Sequence, residues 1–300
     1  MSLARLNVMY GHLEGTDGKF ARDITGYLSI DAGIYEKHGL EVSWNHIQGT
    51  EERYRRLESG QAQISFVVGR ASLQHFLDTR ATRLLGCAMN SCPYLLIADA
   101  AVTDISNLKG RTVACREGPA RGVPFDQLFP QVGGLKIDAD VKLQFLGADQ
   151  DAFKALLDKK VEAALLPRPY GFIAEERGFH RLEKWPGAVD DPLPISIETT
   201  EVLWRDREKD FAAFIAAHRE GVRHARANPG KVIELLTVKF GHSRALAEKT
   251  FDDYMGYMDE SLHVEMRHFT KLLGQVAPSA AGGAPRVASE WIVAGAIKAS

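Results

Sequence analysis

The first part of the chain alternates short runs of two-residue hydrophobic period with longer runs of helical period. In "RLNVMY" and "LEVSW" apolar and polar side chains take turns, which is typical of half-buried strands. The predicted strands are 5–10, 40–44, 62–69 and 83–90, and the predicted helices between them are 21–38, 50–59 and 72–79. Strands that alternate with helices through short connections predict an α/β unit with largely parallel strands.

One corner of this unit, "AGIYEKHGLEVSW" (32–44), carries both a helix end and a strand start. Lys37 and His38 occupy the last helical turn, where positive charge suits the helix dipole. Gly39 follows in the place of a left-handed C-terminal cap. The corner therefore predicts that the helix ends at about His38 and that a strand begins at Leu40.

The same alternation restarts after "CPYLLIADAA" and then gives way to helices. The predicted strands of this second unit are 111–118, 140–147 and 161–167, and its predicted helices are 149–159 and 168–177. After "DDPLPISIETTEVLW" (190–204) only helices are predicted, at 206–227, 229–239, 243–257, 261–275 and 286–298. We therefore expect two α/β units, with the tail helices packed on units already formed.

Composition and charge narrow the class of protein. Of 300 residues, 45% are hydrophobic and 25% are charged, which is ordinary for a soluble globular chain. The 37 basic and 39 acidic side chains give a formal charge of -2, so no long-range field attracts nucleic acid or an anionic membrane surface. No apolar run is long enough to cross a bilayer, and "MSLARLNVMYGH" lacks the apolar core of a signal peptide.

Motif tests for common chemistry fail. The glycines of "YGHLEGTDGKF" do not have the spacing of a phosphate-binding loop, and there is no G-x-S-x-G nucleophile motif. In "HVEMRH" the two histidines are five apart, where a metalloprotease helix needs four. Cys87, Cys92 and Cys115 are too few and too unevenly spaced for a disulfide framework or a zinc site, although a Cys87–Cys92 bridge stays open. The sequence therefore predicts no catalytic residues, no metal and no cofactor.

Polar and cationic residues cluster just beyond the predicted strand ends. Tyr10 and His12 stand at the carboxyl end of the first strand, where open α/β sheets bind ligands. Four arginines follow other strands: Arg70, Arg116, Arg121 and Arg168. A guanidinium beside a helix N-terminus forms an anion site, so we expect an anionic or strongly polar ligand. The sequence also permits an aromatic ligand body to stack on Tyr10, Trp44 or Tyr170.

Four segments carry a resemblance to a known family. They are "GYLSIDAGIYEKHGLEVSW", "RRLESGQAQISFVVG", "VTDISNLKGRTVAC" and "ALLDKKVEAALLPRP". In their order and spacing, over roughly residues 5–235, they resemble the substrate-binding proteins of ABC transporters, in the branch of nitrate, sulfonate and thiamine-precursor binders. Two departures from that family are expected: no leader, unless one has been trimmed, and Lys159-Lys160 where glycine is common. The cysteine-rich motif of eukaryotic thiamine-pyrimidine synthases is missing.

The resemblance implies a two-lobed periplasmic-binding-protein type II fold, with a hinge between two α/β domains and a helical C-terminal tail on the first. The first lobe is expected at 1–92 and 200–300 and the second at 93–199, with crossings near 91–99 and 193–202. "NHIQGT" (45–50) is expected at the rim of the cleft between them. The expected ligand-binding residues are Tyr10, His12, Gly49, Thr50, Gly69, Arg70, Asn90, Arg116, Arg121, Arg168 and Glu198.

The function that this resemblance implies is a monomeric receptor that captures a small anionic or polar organic molecule for an ABC permease. It would bind no nucleic acid and would not insert into the membrane. It would lie in the periplasm if a leader has been removed, and in the cytoplasm otherwise. The alternatives are a metabolite sensor and a cytoplasmic decarboxylase or desulfinase on the same fold. For the enzyme, the suspected residues are His12, Cys87, Cys92, Cys115 and Glu198.

Overall fold

Two five-stranded sheets, each packed against helices, give the chain a two-lobed α/β architecture, as the sequence predicts. The computed structural model describes residues 3–10, 24–47, 49–116, 134–146, 149–182 and 190–297. None of the helices in these ranges has the length and apolar character needed to cross a membrane.

The described strands and helices follow one another in the alternating order that the sequence predicts. The strands are β1 (Ala4–Tyr10), β2 (Leu40–His46), β3 (Ile64–Val67), β4 (Thr82–Pro93), β5 (Leu95–Ala98), β6 (Arg111–Arg116), β7 (Val141–Leu146), β8 (Ala163–Leu166), β9 (His180–Arg181) and β10 (Asp190–Thr200). The helices are α1 (Ile24–Asp31), α2 (Ile34–Lys37), α3 (Thr50–Glu58), α4 (Gly69–Thr79), α5 (Asp149–Leu157), α6 (Tyr170–Glu176), α7 (Glu201–Ala227), α8 (Pro229–Val238), α9 (Arg244–Tyr257), α10 (Met266–Val276) and α11 (Ala284–Trp291).

In both sheets most strands are parallel, as predicted, and one runs the other way. The first sheet has the order β2-β1-β3-β10-β4, in which only β10 is antiparallel to its neighbours. The second has the order β7-β6-β8-β5-β9, in which β5 is the antiparallel strand. Both reversed strands lie where the chain passes between the sheets, since β5 follows β4 after one residue and β10 returns to the first sheet.

Strand β10 is the main element that the sequence pattern missed. Pro192 and Pro194 argue against a strand, since proline cannot donate to the hydrogen-bond ladder. The pairing with β4 shifts register between Pro192 and Ile195, so the irregular stretch accommodates both prolines. Strands β5 and β9 were also not predicted, since β5 has only four residues and β9 only two. The predicted domain limits stay a prediction, with β10 lying in the first sheet.

The predicted corner at Gly39 is confirmed, with one refinement. Gly39 has φ +78°, the left-handed conformation expected after a helix end, and β2 begins at Leu40. The predicted helix before it is split into α1 and α2 by Gly33, which also has positive φ. The corner therefore orients β2 so that its carboxyl end lies beside that of β1.

The tail helices share the core of the first sheet, as predicted. Phe269 and Trp291 are fully buried in one apolar cluster with Leu6 of β1. Tyr35 and Phe214 stack with centroids 5.5 Å apart, which joins α2 to α7. The second sheet has its own apolar clusters, one of which includes Leu246 from α9 of the tail. Helix α9 therefore contributes to the cores of both lobes.

Candidate ligand-binding site

The carboxyl ends of three neighbouring strands form one edge of the first sheet. Tyr10 lies in register with His46 at the end of β2 and with Phe66 near the end of β3. Helices α3 and α4 begin next to these ends, at Thr50 and Gly69. We call this edge, with the first turns of the two helices, the first-lobe rim. It brings together the predicted residues Tyr10, Gly49, Thr50, Gly69 and Arg70.

Aromatic side chains pack around Tyr10 of the rim. Tyr10 stacks against the Trp44 indole with centroids 5.9 Å apart, and its centroid lies 5.6 Å from that of the His46 ring. Its hydroxyl lies 2.5 Å from the hydroxyl of Tyr27 on α1. Burial and the nearby Arg53 cation lower the pKa of His46. His46 is the exposed member of this group, while Tyr10 and Trp44 are buried.

Arg53 is a rim residue that the sequence pattern missed. Its Nη1 donates to the Phe66 carbonyl oxygen at 3.0 Å, and its Nη2 donates to Thr50 Oγ1 at 3.2 Å. These bonds tie the first turn of α3 to the end of β3. The charged run "TEERYRRLE" is typical of a solvated helix face, yet Arg53 is 8% exposed. Only its position between α3 and β3 distinguishes it from the exposed Arg55.

Helix α4 begins at the same rim with an uncapped N-terminus. Its N-cap, Val68, provides no side-chain hydrogen bond, and its first turn has no acidic residue. Arg70 lies in that turn, half-buried, and donates through Nη2 to Gln275 Oε1 at 2.9 Å. A helix N-terminus without a side-chain cap favours an anion, and the adjacent guanidinium adds positive charge.

The second sheet presents a matching edge where β6, β7 and β8 end. Arg116 is the last residue of β6, and its side chain lies outside the described part of the structure. Cys115 is fully buried, and burial together with the Asp149 carboxylate raises its thiol pKa to about 12. Because a thiol with so high a pKa is protonated at neutral pH, Cys115 is a poor nucleophile.

Arg168 follows β8, as predicted, but it meets a carboxylate of the tail. Its guanidinium forms an ion pair with Asp253 on α9 and lies 5.0 Å from the centroid of the Tyr257 ring. Its side chain is 8% exposed. Asp253 therefore positions this guanidinium, and ligand contact by Arg168 stays a prediction.

Two predicted residues, Asn90 and Glu198, form hydrogen bonds with other parts of the protein. Asn90 Nδ2 donates to the His263 carbonyl oxygen at 2.8 Å, and its Oδ1 accepts from the backbone N–H of Glu265 at 2.8 Å. These bonds hold the tail against β4. Glu198 is fully buried in β10, with Ser72 donating to its Oε2. Ligand contact by either residue stays a prediction.

His12 and Arg121 lie outside the described residues, as does the side chain of Cys92, so its bridge to Cys87 also stays open. Cys87 is buried in β4 with its Sγ against the Met89 carbonyl oxygen. Tyr170, suggested for stacking, is 5% exposed and packs on Phe153 at 4.9 Å. Within the described ranges, no three His, Cys, Asp or Glu side chains form a group that could hold a metal ion.

A match to a family model identifies the family of the chain. The model described as NMT1/THI5 like matches residues 23–232, which include β2, β3 and the two helices of the first-lobe rim but not Tyr10, and all five strands of the second sheet. The chain belongs to the NMT1/THI5-like family. A comparison of this NMT1/THI5-like protein with curated proteins gives no match.

Solved structures share the fold of this NMT1/THI5-like protein at low sequence identity. The periplasmic aliphatic sulphonate binding protein SsuA from Escherichia coli is 16% identical, with a TM-score of 0.65 over 84% of each chain. The alkanesulfonate-binding protein SsuA from Xanthomonas axonopodis pv. citri, bound to MOPS, is 12% identical, with a TM-score of 0.67 over all of both chains. The nitrate-binding protein NrtA from Synechocystis PCC 6803 is 11% identical, with a TM-score of 0.69 over 97% of this chain and 86% of that one.

Proposed function

We propose that the protein is a solute-binding receptor, which captures a small anionic or polar organic molecule between its lobes and presents it to an ABC permease. The observation that carries the proposal is the first-lobe rim, where the N-terminus of α4, without a side-chain cap, and Arg70 follow the end of β3, the strand that pairs with Tyr10 of β1. Sulfonate and nitrate binders have the same fold, which agrees with an anionic solute. In this proposal the receptor works in the periplasm as a monomer.

Two lobes joined by two crossings favour a hinge. The crossings lie between β4 and β5 and just before β10, and closing of the lobes would bury the solute against both edges. We propose that Arg168 meets the solute from the second lobe, with Arg116 beside it. Because the net charge is only -2, this recognition acts through local pairing.

The described residues support a receptor over the enzyme alternative. Of the suspected groups, Cys87, Cys115 and Glu198 are all fully buried. The raised pKa of Cys115 keeps that thiol protonated at neutral pH. These three residues have no exposed surface through which to reach a solute, whereas the Arg168 side chain keeps 8% of its surface exposed.

The test begins with native mass spectrometry of freshly purified protein, which would detect a solute carried through purification. Calorimetry with small sulfonates, nitrate and carboxylates then measures affinity for the parent and for Arg70→Ala, Arg116→Ala and Arg168→Ala. A charge-assisted hydrogen bond contributes about 1.5 to 3 kcal/mol, so losing a true partner weakens binding about 10- to 100-fold.

Arg244→Ala is the control, because Arg244 forms only an exposed ion pair with Glu248. Circular dichroism melting separates lost binding from lost folding. Absence of any bound solute, or conversion of the solute to product, would overturn the receptor proposal. Equal affinity in all three arginine variants would overturn the anion preference.

A further inference from the structure

A buried carboxyl group lies in the strand that returns from the second sheet. Glu198 of β10 is fully buried and pairs in register with Ser65 of β3 and Leu84 of β4. The ladder with β4 shifts register between Ile197 and Glu198. A buried carboxylate costs stability when it is charged. The groups around Glu198 therefore determine whether it is protonated or ionised.

Both helices of the first-lobe rim face this carboxyl group. From α4, Ser72 donates a hydrogen bond to Glu198 Oε2. From α3, the buried Tyr54 hydroxyl and the Arg53 cation both favour its charged form. Tyr54 in turn stacks on His75 with centroids 3.7 Å apart. Glu198 is therefore the point where α3, α4 and β10 meet.

The other charged groups packed around β10 have partners of their own. His75 lies 3.3 Å from Glu58. Arg83 of β4 forms an ion pair with Glu201, and His268 of α10 lies 3.6 Å from Glu265. Among the described residues, Arg53 is the cation that acts on the Glu198 carboxyl group.

A second contact docks α4 on β10 close to the rim. A side chain at Gly69 would place its Cβ 2.6 Å from the carbonyl oxygen of Leu193, so the backbones of α4 and β10 nearly touch. Gly69 begins α4, and Ser72 follows one turn later. The uncapped N-terminus of α4 is therefore positioned by β10 at two points, Leu193 and Glu198.

We propose that Glu198 is a positioning residue for the first-lobe rim: in its neutral form it keeps α3 and α4 packed on β10, and its ionisation loosens them. Burial, only partly offset by Ser72, Tyr54 and Arg53, raises the pKa of Glu198 to about 7. The change of state therefore falls near neutral pH. The proposal rests on the proposed function in taking this rim as the ligand-facing surface.

Hydrogen exchange tests this role without any ligand. Exchange of the α3 and α4 amides, corrected for intrinsic rates, is measured at pH 6 and pH 8 in the parent and in Glu198→Gln. We expect exchange about tenfold faster at pH 8 in the parent, because ionisation of a group with pKa near 7 is nearly complete there. The neutral Gln variant is expected to keep the same protection at both pH values.

Two further variants keep the test decisive. Glu234→Gln, at an exposed position of α8, should exchange like the parent. Ser72→Ala should exchange faster in the first turn of α4 at both pH values but keep the pH dependence, since the carboxyl group remains. A parent without pH dependence, or an equal dependence in Glu198→Gln, would overturn the proposal. Failure of every solute to bind would instead overturn the receptor function and leave this result intact.

Discussion

The guanidinium of Arg168, which follows the second-sheet strand β8, forms an ion pair with the carboxylate of Asp253 on the tail helix α9. The pair does not stand alone, because Lys249 of α9 pairs with Glu175 of α6 and Leu246 enters the second-lobe core. The same helix buries Tyr254 in the first-lobe core. Helix α9 therefore links the lobes at a third place besides the two crossings, and Arg168 is positioned by that link.

We predict that Asp253→Asn lowers the free energy of unfolding by about 3 kcal/mol, since it leaves the Arg168 charge buried without its carboxylate. The two side chains are 8% and 19% exposed, so water screens the pair poorly. Urea unfolding of the parent and variant measures the difference. Glu248→Gln, which breaks the exposed pair with Arg244, should cost less than about 1 kcal/mol. Equal costs for the two variants would contradict a buried link.

The ionisation of Glu198 should appear in global stability as well as in local exchange. Its folded-state pKa of about 7 lies above the ordinary 4.5, so the folded protein holds a proton that the unfolded chain releases between these values. Stability should therefore fall as pH rises through this window, by about 1.4 kcal/mol per pH unit. The difference in unfolding free energy between the parent and Glu198→Gln, measured from pH 5 to pH 8, isolates this contribution. A difference that does not change with pH would argue that Glu198 is ionised throughout.

The buried imidazole of His218 should make stability fall as the pH becomes acidic, which is the opposite pH dependence to that of Glu198. It stacks on Trp44 and Phe214, and burial lowers its pKa from 6.5 to about 3. Below pH 6.5 the unfolded chain binds a proton that the folded protein does not bind. The free energy of unfolding therefore decreases as pH falls, by about 1.4 kcal/mol per pH unit. His218→Phe keeps a stacked ring and removes the titration. The stability of the parent relative to this variant should decline from pH 7 to pH 4, with pH 8 as the baseline.

Close packing against Trp44 should make substitution of one glycine, Gly26, destabilising. A Cβ on Gly26 of α1 would overlap the Trp44 indole that supports Tyr10. We predict that Gly26→Ala costs about 1 to 3 kcal/mol in unfolding free energy. Gly274→Ala, in α10 with open space around it, should instead gain about 0.5 to 1 kcal/mol from helix propensity. Thermal unfolding distinguishes the two, and a stabilising Gly26→Ala would contradict the packing described.

Much of the fold could be predicted because the signals are local. The alternation in "LEVSW" and the left-handed position of Gly39 depend on neighbouring residues, and both appear in the structure as expected. Strand β10 shows the limit, since Pro192 and Pro194 argue against a strand and only the irregular pairing with β4 accommodates them.

Parts of the candidate site could be predicted in the same way. The strand ends that carry Tyr10, Arg70 and Arg168 follow from the α/β alternation, because parallel strands finish at one edge of a sheet. Arg53 could not be predicted, since nothing in its charged helix marks it for burial.

By itself, then, the sequence determined the α/β alternation, the restart after "CPYLLIADAA" and the arginines at strand ends, because hydrophobic period and turn residues act over a few positions. Only the tertiary structure decided which charges meet. Arg168 pairs with Asp253, and Glu198 is buried among Ser72 from α4 and Tyr54 and Arg53 from α3. Such partners are distant in sequence, and the free energy of a charge depends on the water and the groups that the folded chain leaves around it.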